Sequence, residues 1–426
     1  MAFKSKDPNS RSKIRNARSC SWESSESTGF SDRVGEIPFH GRLDVFYSSM
    51  SQEKPTFIDL FAGIGGFHEA FHDLNAQCVM ACERDKHARL TYQAFHRGKV
   101  LEPQRFFSEC TDDADGFWMF PTDITKVTKT LGKADKLSEE QKQDSVEHIK
   151  RRTQKFNVLC AGFPCQPFSH AGKRLGFDDS RGTLFYDVAM MLKACEPGGF
   201  FLENVRGLIR HRFDEDIPVL LNGQKVEGVG MTLGCILNIL FSKNPEVGLG
   251  YYYPEVDKDD ARYVAPGVFL VKASDHSLPQ HRPRIFIIGF KSAAAAKRFK
   301  MPKTKRPSDK SLAKKLDVKN VYMDALGKKH RTIGFTLRCG GKQSPIVSRQ
   351  NWDSYYVAEE EGGEIEPKRI EWKHGLKLQG FKSRKLPSGV KLAQGMKQLG
   401  NSVAVPAIKA WGKEMLLAMG FEIPEP

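Results

Sequence analysis

Residues 56–95, TFIDLFAGIGGFHEAFHDLNAQCVMACERDKHARLTYQAF, contain the pattern that decides the fold. Short apolar strands alternate here with segments whose apolar residues recur at helical spacing, which is typical of a βαβα unit. Similar apolar runs return at 156–163 (FNVLCAGF), 198–205 (GGFFLENV) and 283–290 (PRIFIIGF). Because parallel strands need long crossovers, usually helices, the sequence predicts an α/β protein with a doubly wound, mostly parallel sheet covered by helices.

Composition divides the rest of the chain into segments. Residues 1–50 are basic and rich in Ser without a sustained period, which predicts a disordered tail. Residues 51–290 hold the βα pattern and form the larger predicted domain. After 290 that pattern stops and Lys, Arg, Pro and Gly increase, so 291–390 is predicted to be a smaller, mainly β domain. Residues 391–426 contain an apolar pattern at helical spacing and should pack back on the larger domain.

A charged insertion separates the second predicted helix from the next strand. It covers 97–155 and ends in SEEQKQDSVEHIKRR. Ser138 before a run of acidic residues predicts the N-cap of an exposed helix, because its hydroxyl can accept from the free N–H groups of the first turn. We assign no chemistry to this helix.

Charge is concentrated in one part of the chain. The net charge is +15, and residues 291–400 alone hold 26 Lys and Arg against 10 Asp and Glu. Clustered cationic side chains that release counterions are the usual footprint of nucleic-acid binding, so we expect a polyanion such as nucleic acid to contact this region. The alternative is a solvated Lys-rich surface that favours solubility.

Several classes of protein are disfavoured by the same composition. Nothing approaches the roughly 18 consecutive apolar residues of a membrane helix, and the amino terminus lacks the apolar core of a secretory signal. We therefore expect no membrane contact and a cytoplasmic location. The nine cysteines include no CxxC pair, so neither a disulfide framework nor a bound metal is predicted.

The stretch FIDLFAGIGGF at 57–67 has the form of a cofactor loop, an apolar strand that enters a glycine-rich turn before a helix. Glu83, 20 residues after Gly63, is placed to accept hydrogen bonds from ribose hydroxyls. The turn lacks the third glycine of GxGxxG and the Lys of a P-loop. A pyrophosphate cofactor is therefore disfavoured, and S-adenosylmethionine is favoured. The alternative is a purely structural turn.

Cys165 differs from the other cysteines because it follows a buried strand and lies in a loop. Open α/β sheets bind ligands at the carboxyl ends of their strands, and the flanking Pro164 and Pro167 stiffen this position. The alternative is an inert thiol. Three glycines in the following stretch would let it move as a lid. Its polar residues could hold phosphates: Ser169, Lys173, Arg174 and Arg181.

Glu203 lies at the end of another buried strand, where an unpaired carboxylate is costly. Arg282 and Arg284 begin the predicted last strand, and one of them could form a structural ion pair with Glu203. A cysteine, a glutamate and an arginine that converge on one sheet edge also make an acid-assisted nucleophilic site. The sequence leaves both interpretations open.

The ordered set of motifs resembles the cytosine-5 DNA methyltransferases of bacterial restriction–modification systems. The resemblance covers about 57–410 and rests on matches that follow in the family's order: FAGIGGF, Glu83, PTDITKV with Asp123, GFPCQPFS, RGTLF, ENV, QHRPR and GNSV with Asn401. It implies a catalytic domain with the S-adenosylmethionine-dependent methyltransferase fold. It also implies a target-recognition domain between QHRPR and GNSV, with DNA in the cleft between the two.

The resemblance also implies roles for individual residues. Cys165 would attack carbon 6 of a flipped cytosine, Glu203 would assist at ring nitrogen 3, and Arg284 would contact the carbonyl oxygen of the base. Asn204 and Arg282 would support the strand ends. The implied contacts with S-adenosylmethionine fall on Phe61, Ala62, Gly63, Ile64, Gly66, Glu83, Arg84, Asp123, Ile124, Pro164, Leu184, Asn401 and Val403. Arg84 departs from the family's pattern, in which an aromatic residue is common at this position.

We expect DNA contacts from two segments. The loop after Cys165 supplies Gln166 with the polar residues named above, and the stretch TLRCGGKQSPIVSRQNWDSYY supplies Arg338, Gln343, Arg349 and Gln350 as candidates for reading base edges. The alternative for each of these four is a phosphate contact. The remaining implied properties are a monomer and a companion restriction endonuclease that acts on the same site.

Two other functions remain as alternatives. One is an RNA cytosine methyltransferase of the kind that methylates tRNA, because such a relative keeps the motifs of the DNA enzymes. The second is a module that recognises DNA without chemistry, which the joint presence of Cys165, Glu203 and Arg284 disfavours. Labelled cofactor supplied with either DNA or tRNA separates the first alternative from a DNA methyltransferase.

Overall fold

Strands and helices alternate from Thr56 as the sequence predicts. The computed structural model describes residues 54–96, 121–130, 137–164, 184–304, 306–308, 311, 320–323, 333–334, 336–339, 356–361 and 364–424. The first elements are β1 (Thr56–Leu60), α1 (Gly66–His72), β2 (Gln77–Cys82) and α2 (Lys86–His96).

The middle of the chain continues this alternation. Its elements are α3 (Ile124–Val127), α4 (Glu139–Arg152), β3 (Val158–Ala161), α5 (Leu184–Cys195) and β4 (Gly199–Val205). The predicted cap of α4 is confirmed: Ser138 Oγ accepts from the Gln141 N–H, and the Gln141 side chain accepts from the Ser138 N–H. Apart from Ser145, Val146 and Ile149, α4 leaves its residues at least partly exposed, as the charged pattern indicates.

Five strands and one helix follow. Three of these strands complete the central sheet, and the other two form a hairpin. These elements are β5 (Val219–Leu221), β6 (Gln224–Val226), α6 (Met231–Phe241), β7 (Tyr263–Ala265), β8 (Val268–Lys272) and β9 (Pro283–Phe290). The apolar run PRIFIIGF predicts β9 in full. The sequence did not predict the β5–β6 hairpin or the strands β7 and β8.

After β9, the described residues contain a second sheet and the helices α7 to α10. These elements are α7 (Ala293–Arg298), β10 (Asn320–Met323), β11 (Tyr356–Glu361), β12 (Glu364–Arg369), α8 (Trp372–Gln379), α9 (Leu392–Asn401) and α10 (Val405–Met419). β10, β11 and β12 form an antiparallel sheet of their own. The predicted carboxyl-terminal helix is confirmed as α10. No helix in the described part of the chain is both long and apolar enough to cross a membrane.

The central sheet has seven strands in the order β2-β1-β3-β4-β9-β8-β7. The four strands β2, β1, β3 and β4 pair in parallel, and β9, β8 and β7 continue the sheet by antiparallel pairing. The predicted α/β class is confirmed, with the antiparallel strands confined to one end. Parallel strands end at a common edge, and β9 starts there because it runs opposite to β4. The carboxyl ends of β1–β4 and the start of β9 therefore meet.

Helices cover both faces of this sheet. Alternate residues of β1 point to opposite faces, so Phe57 joins one apolar core and Ile58 joins the other. The first core includes residues of α1, α2 and α10, and the second includes residues of α5 and α6. Each fully buried Phe, Leu or Ile contributes about 1.5–3 kcal/mol by its removal from water, so the two cores fix the edge at which the strands end.

Both ends of the predicted smaller domain contribute to the first core. Phe299 packs 6.2 Å from Trp411 of α10, and Trp372 packs 6.1 Å from Phe95 of α2, measured between ring centroids. Leu378 of α8 is fully buried in the same core. These contacts place the segments around α7 and α8 against the larger sheet.

Candidate active site

The glycine-rich turn between β1 and α1 has three residues in the left-handed region. Phe61, Gly63 and Gly65 have φ of 56°, 57° and 84°. The two glycines adopt this conformation without the steric cost of a Cβ. The Gly65 N–H closes the turn by donating to the Ala62 carbonyl oxygen at 2.8 Å, and Ile64 is buried beneath it. The backbone therefore bends sharply at the carboxyl end of β1, where a ligand can approach main-chain groups.

Glu83 follows β2 directly, and its carboxylate is bound to this turn. Oε2 accepts from the Gly63 N–H at 2.8 Å, and Oε1 accepts from the Asp85 N–H at 2.6 Å. Burial raises the pKa of Glu83, and the two backbone donors act against that shift. Arg84 beside it is exposed. The separation of 20 residues between Gly63 and Glu83 therefore corresponds to a direct contact.

Asp123 begins α3 and acts as its N-cap. Its Oδ1 accepts from the backbone N–H of Thr125 at 3.0 Å and from the Thr125 hydroxyl at 2.9 Å. Asp123 is half-buried and Ile124 is buried. The capping interaction fixes a partly accessible carboxylate at the start of a helix.

A second carboxyl near Asp123 carries no local signal in the sequence. Asp187 of α5 is fully buried and accepts from the hydroxyls of Thr128 and Thr130, the latter at 2.6 Å. Burial raises the pKa of Asp187 to about 6, against the effect of the two hydroxyl donors. Asp187 lies one turn after Leu184, the half-buried first residue of α5. It connects α5 to the segment that follows Asp123.

The end of β3 leads towards the predicted nucleophile. Asn204 of β4 holds this end, because its Nδ2 donates to the Phe163 carbonyl oxygen at 3.3 Å while its Oδ1 accepts from the Val205 N–H at 2.8 Å. Pro164 is half-buried and is the last residue described before the loop. Nine predicted site residues lie outside the described residues: Cys165, Gln166, Ser169, Lys173, Arg174, Arg181, Gln343, Arg349 and Gln350.

Glu203 and Arg284 form a buried ion pair at the same edge. Arg284 Nε lies 2.9 Å from Glu203 Oε1, and the two side chains are 15% and 11% exposed. Oε2 of Glu203 would lie 3.8 Å from a Cβ built on Gly162, at the end of β3. The pair is therefore next to the strand that leads into Cys165. Of the two arginines that the sequence offered as partners, the structure selects Arg284.

Arg282 has a different role, since it binds main-chain carbonyl groups. It is 1% exposed and has φ of 26°. Its guanidinium donates to the carbonyl oxygens of Leu337 at 3.2 Å, of Gly400 at 3.1 Å and of Ser402. It thereby ties two distant segments to the start of β9.

The turn after α9 packs directly on the cofactor loop. A Cβ built on Gly66 would lie 2.5 Å from Val403 Cγ2, and one built on Gly162 would lie 3.9 Å from Val403 Cγ1. Val403 is buried, whereas Asn401 is exposed. The loop after β1, the end of β3 and the 401–403 turn therefore converge on one place.

Two buried amides extend the contacts of Arg282. Gln280 Nε2 donates to the Leu378 carbonyl oxygen at 2.5 Å and to Gln379 Oε1 at 3.1 Å, while Gln280 Oε1 accepts from the Leu337 N–H at 3.1 Å. Gln379 Nε2 donates to the Leu399 carbonyl oxygen at 2.6 Å. Both glutamines are fully buried. Gln280 belongs to the QHRPR motif, but no local signal in the sequence singles out Gln379.

Arg338 lies next to the same turn. A Cβ built on Gly400 would lie 2.7 Å from the Arg338 carbonyl carbon, so the backbone at 338 packs closely on α9. The Arg338 side chain is half-buried. Its base-reading role stays a prediction.

Within the described residues, no three His, Cys, Asp or Glu side chains are grouped so that they could hold a metal ion.

Comparisons with known proteins identify the family of this chain. The model of the family described as C-5 cytosine-specific DNA methylase matches residues 55–117, 119–237 and 263–339. The type II methyltransferase M.HpaII of Haemophilus parainfluenzae is 33% identical over 405 residues, which are 87% of this chain and 91% of that protein. The type II methyltransferase M1.ScrFI of Lactococcus lactis subsp. cremoris is 30% identical over 93% of this chain and 86% of its own length.

Solved structures share the fold at lower identity. The Entamoeba histolytica methyltransferase EhMeth covers 87% of this chain and 100% of its own with a TM-score of 0.52, at 15% identity. The Dnmt2 methyltransferase of S. pombe covers 86% of this chain and 100% of its own with a TM-score of 0.51, also at 15% identity. The family match and the identities to the type II enzymes decide the assignment. The chain belongs to the C-5 cytosine-specific DNA methylase family and is a DNA (cytosine-5-)-methyltransferase.

Proposed function

We propose that this enzyme methylates carbon 5 of one cytosine within a specific sequence of double-stranded DNA, as the protective methylase of a restriction–modification system. The observation that carries the proposal is the buried Glu203–Arg284 ion pair beside the end of β3, which leads into Cys165. The names of M.HpaII and M1.ScrFI as type II methyltransferases support the restriction–modification context.

The residues at this sheet edge fit S-adenosylmethionine as the methyl donor. The left-handed turn at Gly63 and Gly65 bends the backbone sharply at the end of β1, and its sequence lacks the third glycine and the Lys that bind a pyrophosphate. We propose that Glu83 accepts hydrogen bonds from the ribose hydroxyls and that Asp123 accepts from the adenine amino group. The bound cofactor supplies an activated methyl group. Val403, packed on Gly66, would close the site beside the loop.

The protein residues must activate the base, because carbon 5 of cytosine is a weak nucleophile. In the proposed reaction the Cys165 thiolate adds to carbon 6, which gives carbon 5 the character of an enamine. Glu203 protonates or hydrogen-bonds ring nitrogen 3, and Arg284 binds the carbonyl oxygen and holds Glu203 in position. After carbon 5 has accepted the methyl group, loss of its proton and β-elimination release the thiolate.

This chemistry requires a base outside the helical stack. A thiolate must approach carbon 6 perpendicular to the ring, and in duplex DNA both faces of the ring are covered by neighbouring bases. We therefore propose that the target cytosine is flipped into the site, at a cost of a few kcal/mol for unstacking. Phosphate contacts by the cationic region of 291–400 would offset that cost.

We propose that sequence recognition belongs to 291–390, with a narrower recognition unit at about 303–369. Phe299 and Trp372 pack in the core of the larger sheet, whereas β10, β11 and β12 form a separate sheet between them. Arg338, Gln343, Arg349 and Gln350 are the proposed base readers. Side chains of these types recognise guanine and adenine in the major groove.

The biological setting follows from the same assignment. The type II relatives come from bacteria, so we propose a bacterial cytoplasmic enzyme that acts as a monomer. Its proposed partners are the DNA duplex and a companion endonuclease that cuts the same site when it is unmethylated.

Transfer of a labelled methyl group tests the proposal directly. The purified protein is incubated with tritiated S-adenosylmethionine and either duplex DNA or tRNA. The gene is then expressed in a host without other cytosine methylation, and methylome sequencing of that host identifies the methylated site. We expect label in DNA at one short sequence. Label in tRNA alone would contradict the proposed substrate and support the RNA alternative.

A further inference from the structure

His96 lies under the cofactor loop and contacts it at two points. It is the last residue of α2 and is fully buried. Its Nε2 faces the Ile64 carbonyl oxygen at 3.3 Å, a contact in which the imidazole must be the donor because a carbonyl group only accepts. A Cβ built on Gly65 would lie 2.1 Å from the same nitrogen. The imidazole therefore occupies the space that any side chain at position 65 would need.

The position of the His96 ring is itself fixed by α1 and α2. The ring stacks on His68 of α1, with centroids 4.0 Å apart and planes inclined by 19°. His68 Nδ1 lies 2.6 Å from the hydroxyl of Tyr92, and the Tyr92 ring lies 4.7 Å from His96. All three side chains are at most 1% exposed. Because these rings are buried and in mutual contact, the face that His96 presents to the loop has little freedom to move.

We infer that His96 is a positioning residue for the cofactor loop and that its ring, in addition to the left-handed backbone at φ 84°, excludes a side chain at Gly65. The inference rests on the proposed binding of S-adenosylmethionine at this loop. In this arrangement His96 supports Ile64 and Gly65 from α2, and Glu83, directly after the neighbouring parallel strand β2, fixes Gly63. The loop is thus preorganised for the ligand by two contacts from β2 and α2.

Binding of S-adenosylhomocysteine, measured by calorimetry on the full chain, tests the inference without turnover. His96→Ala should raise the dissociation constant about tenfold or more, since a loop displaced by about 1 Å loses its alignment with the ligand. His96→Phe retains the packing ring and should raise it no more than about threefold. Steady-state kinetics should show the same order in the KM for S-adenosylmethionine, with kcat at saturating cofactor changed less than KM.

Phe95→Ala is the matched control, because Phe95 is the preceding residue of α2, is also buried, and packs on Trp372 and Phe381. It should lower the melting temperature as His96→Ala does and leave the dissociation constant within about twofold of wild type. The control separates loss of loop alignment from general destabilisation of the helix.

A double-mutant cycle with Gly65→Ala tests the contact itself. Gly65→Ala should weaken binding strongly, and His96→Ala should relieve part of that loss, so that the double variant binds at least about fivefold better than additivity predicts. Additive effects, or unchanged binding by a folded His96→Ala, would overturn the inference while leaving the proposed function intact. Wild-type protein that fails to bind S-adenosylhomocysteine would overturn both.

Discussion

Arg284 Nε lies 2.9 Å from Glu203 Oε1, across the antiparallel pair of β4 and β9. Both residues are at the edge where β3 also ends, so the ion pair holds a carboxyl and a guanidinium beside the end of β3. An ion pair of this kind can be structural, because removal of one partner leaves a buried charge. The position at the strand ends, however, is where the proposed reaction needs an acid and a group that binds the carbonyl oxygen of the base.

Glu203→Gln separates these two roles. We expect the rate of methyl transfer to fall by about 10² or more, in line with loss of a general acid, with little change in cofactor affinity. Glu69→Gln is the matched control. Glu69 is buried and forms an ion pair with Arg384 at 2.7 Å, but it belongs to α1 and not to the strand ends. Single-turnover transfer and thermal unfolding are measured for both. A normal rate per folded molecule in Glu203→Gln would show that the pair is only structural.

Cys165→Ser should abolish turnover and leave the affinity for duplex DNA within about tenfold, because phosphate contacts supply most of that affinity. A duplex with 5-fluorocytosine at the target position should trap the wild-type enzyme covalently, since carbon 5 then carries no proton that can leave. The covalent complex is detected by its shift on a denaturing gel. Trapping by the serine variant would contradict the assignment of the nucleophile.

The elements that sequence patterns predicted are those with a continuous local signal. The run FNVLCAGF contains β3, and PRIFIIGF matches β9 from its first residue to its last, because buried strands need uninterrupted apolar residues. Strands β7 and β8 are only three and five residues long and lie beside charged and polar segments. Their place in the sheet depends on the pairing of β8 with β9 and of β7 with β8, which a short window does not encode.

The site shows the same distinction between local and long-range information. The spacing of Gly63 and Glu83 indicates a cofactor loop followed by an acidic residue, whereas the direct hydrogen bond between them at 2.8 Å is seen only in the structure. The choice between Arg282 and Arg284 as the partner of Glu203 could not be made from sequence, because it depends on the register of β4 against β9 and on the left-handed backbone at 282. Gln379 accepts a hydrogen bond from Gln280, which is 99 residues away in sequence, and Gln379 lies in no motif.

Gln379→Leu should destabilise the protein more than loss of an exposed amide. It removes the hydrogen bonds of Gln379 to Gln280 and to the Leu399 carbonyl oxygen, which keeps only the Ser402 N–H as a donor, and each lost hydrogen bond costs about 0.5–1.5 kcal/mol. Gln143→Leu on the exposed face of α4 is the control and should change the free energy of unfolding by less than about 0.5 kcal/mol. Urea denaturation measures both. Equal losses of unfolding free energy would show that the buried Gln379 amide stabilises the protein no more than the exposed Gln143 amide does.

An exchange of segments tests where specificity lies. Replacement of 291–390 by the same segment of a relative with another target site should transfer that site, since the catalytic segments need only hold a cytosine and a methyl donor. Replacement of 303–369 alone should do so with less loss of stability, because Phe299, Trp372 and Leu378 remain in the first core. Bisulfite sequencing identifies the methylated sequence. A chimera that keeps the original site would place recognition elsewhere.

Within the recognition unit, Arg338→Ala distinguishes base contact from phosphate contact. If Arg338 reads a base, its loss should cost about 1–3 kcal/mol of binding free energy and relax one position of the site. If it contacts a phosphate, its loss should weaken binding to all sequences equally and flatten the salt dependence. Binding to the target duplex and to single-substitution duplexes at two salt concentrations gives the answer. An equal loss on every duplex would remove Arg338 from the base readers.

Asp187 gives the protein a stability that depends on pH. Its pKa is raised by burial to about 6, above the ordinary value near 3.8, so the folded state binds the proton more tightly than the unfolded state does. The stability from this proton is fully present below about pH 4 and is lost as pH rises through 6, a change of up to about 3 kcal/mol. Asp187→Asn should flatten that part of the pH profile in urea denaturation. Thr130→Val removes a hydroxyl that favours the ionised form and should shift the loss to higher pH. Profiles that coincide for wild type and Asp187→Asn would show that this carboxyl does not control stability.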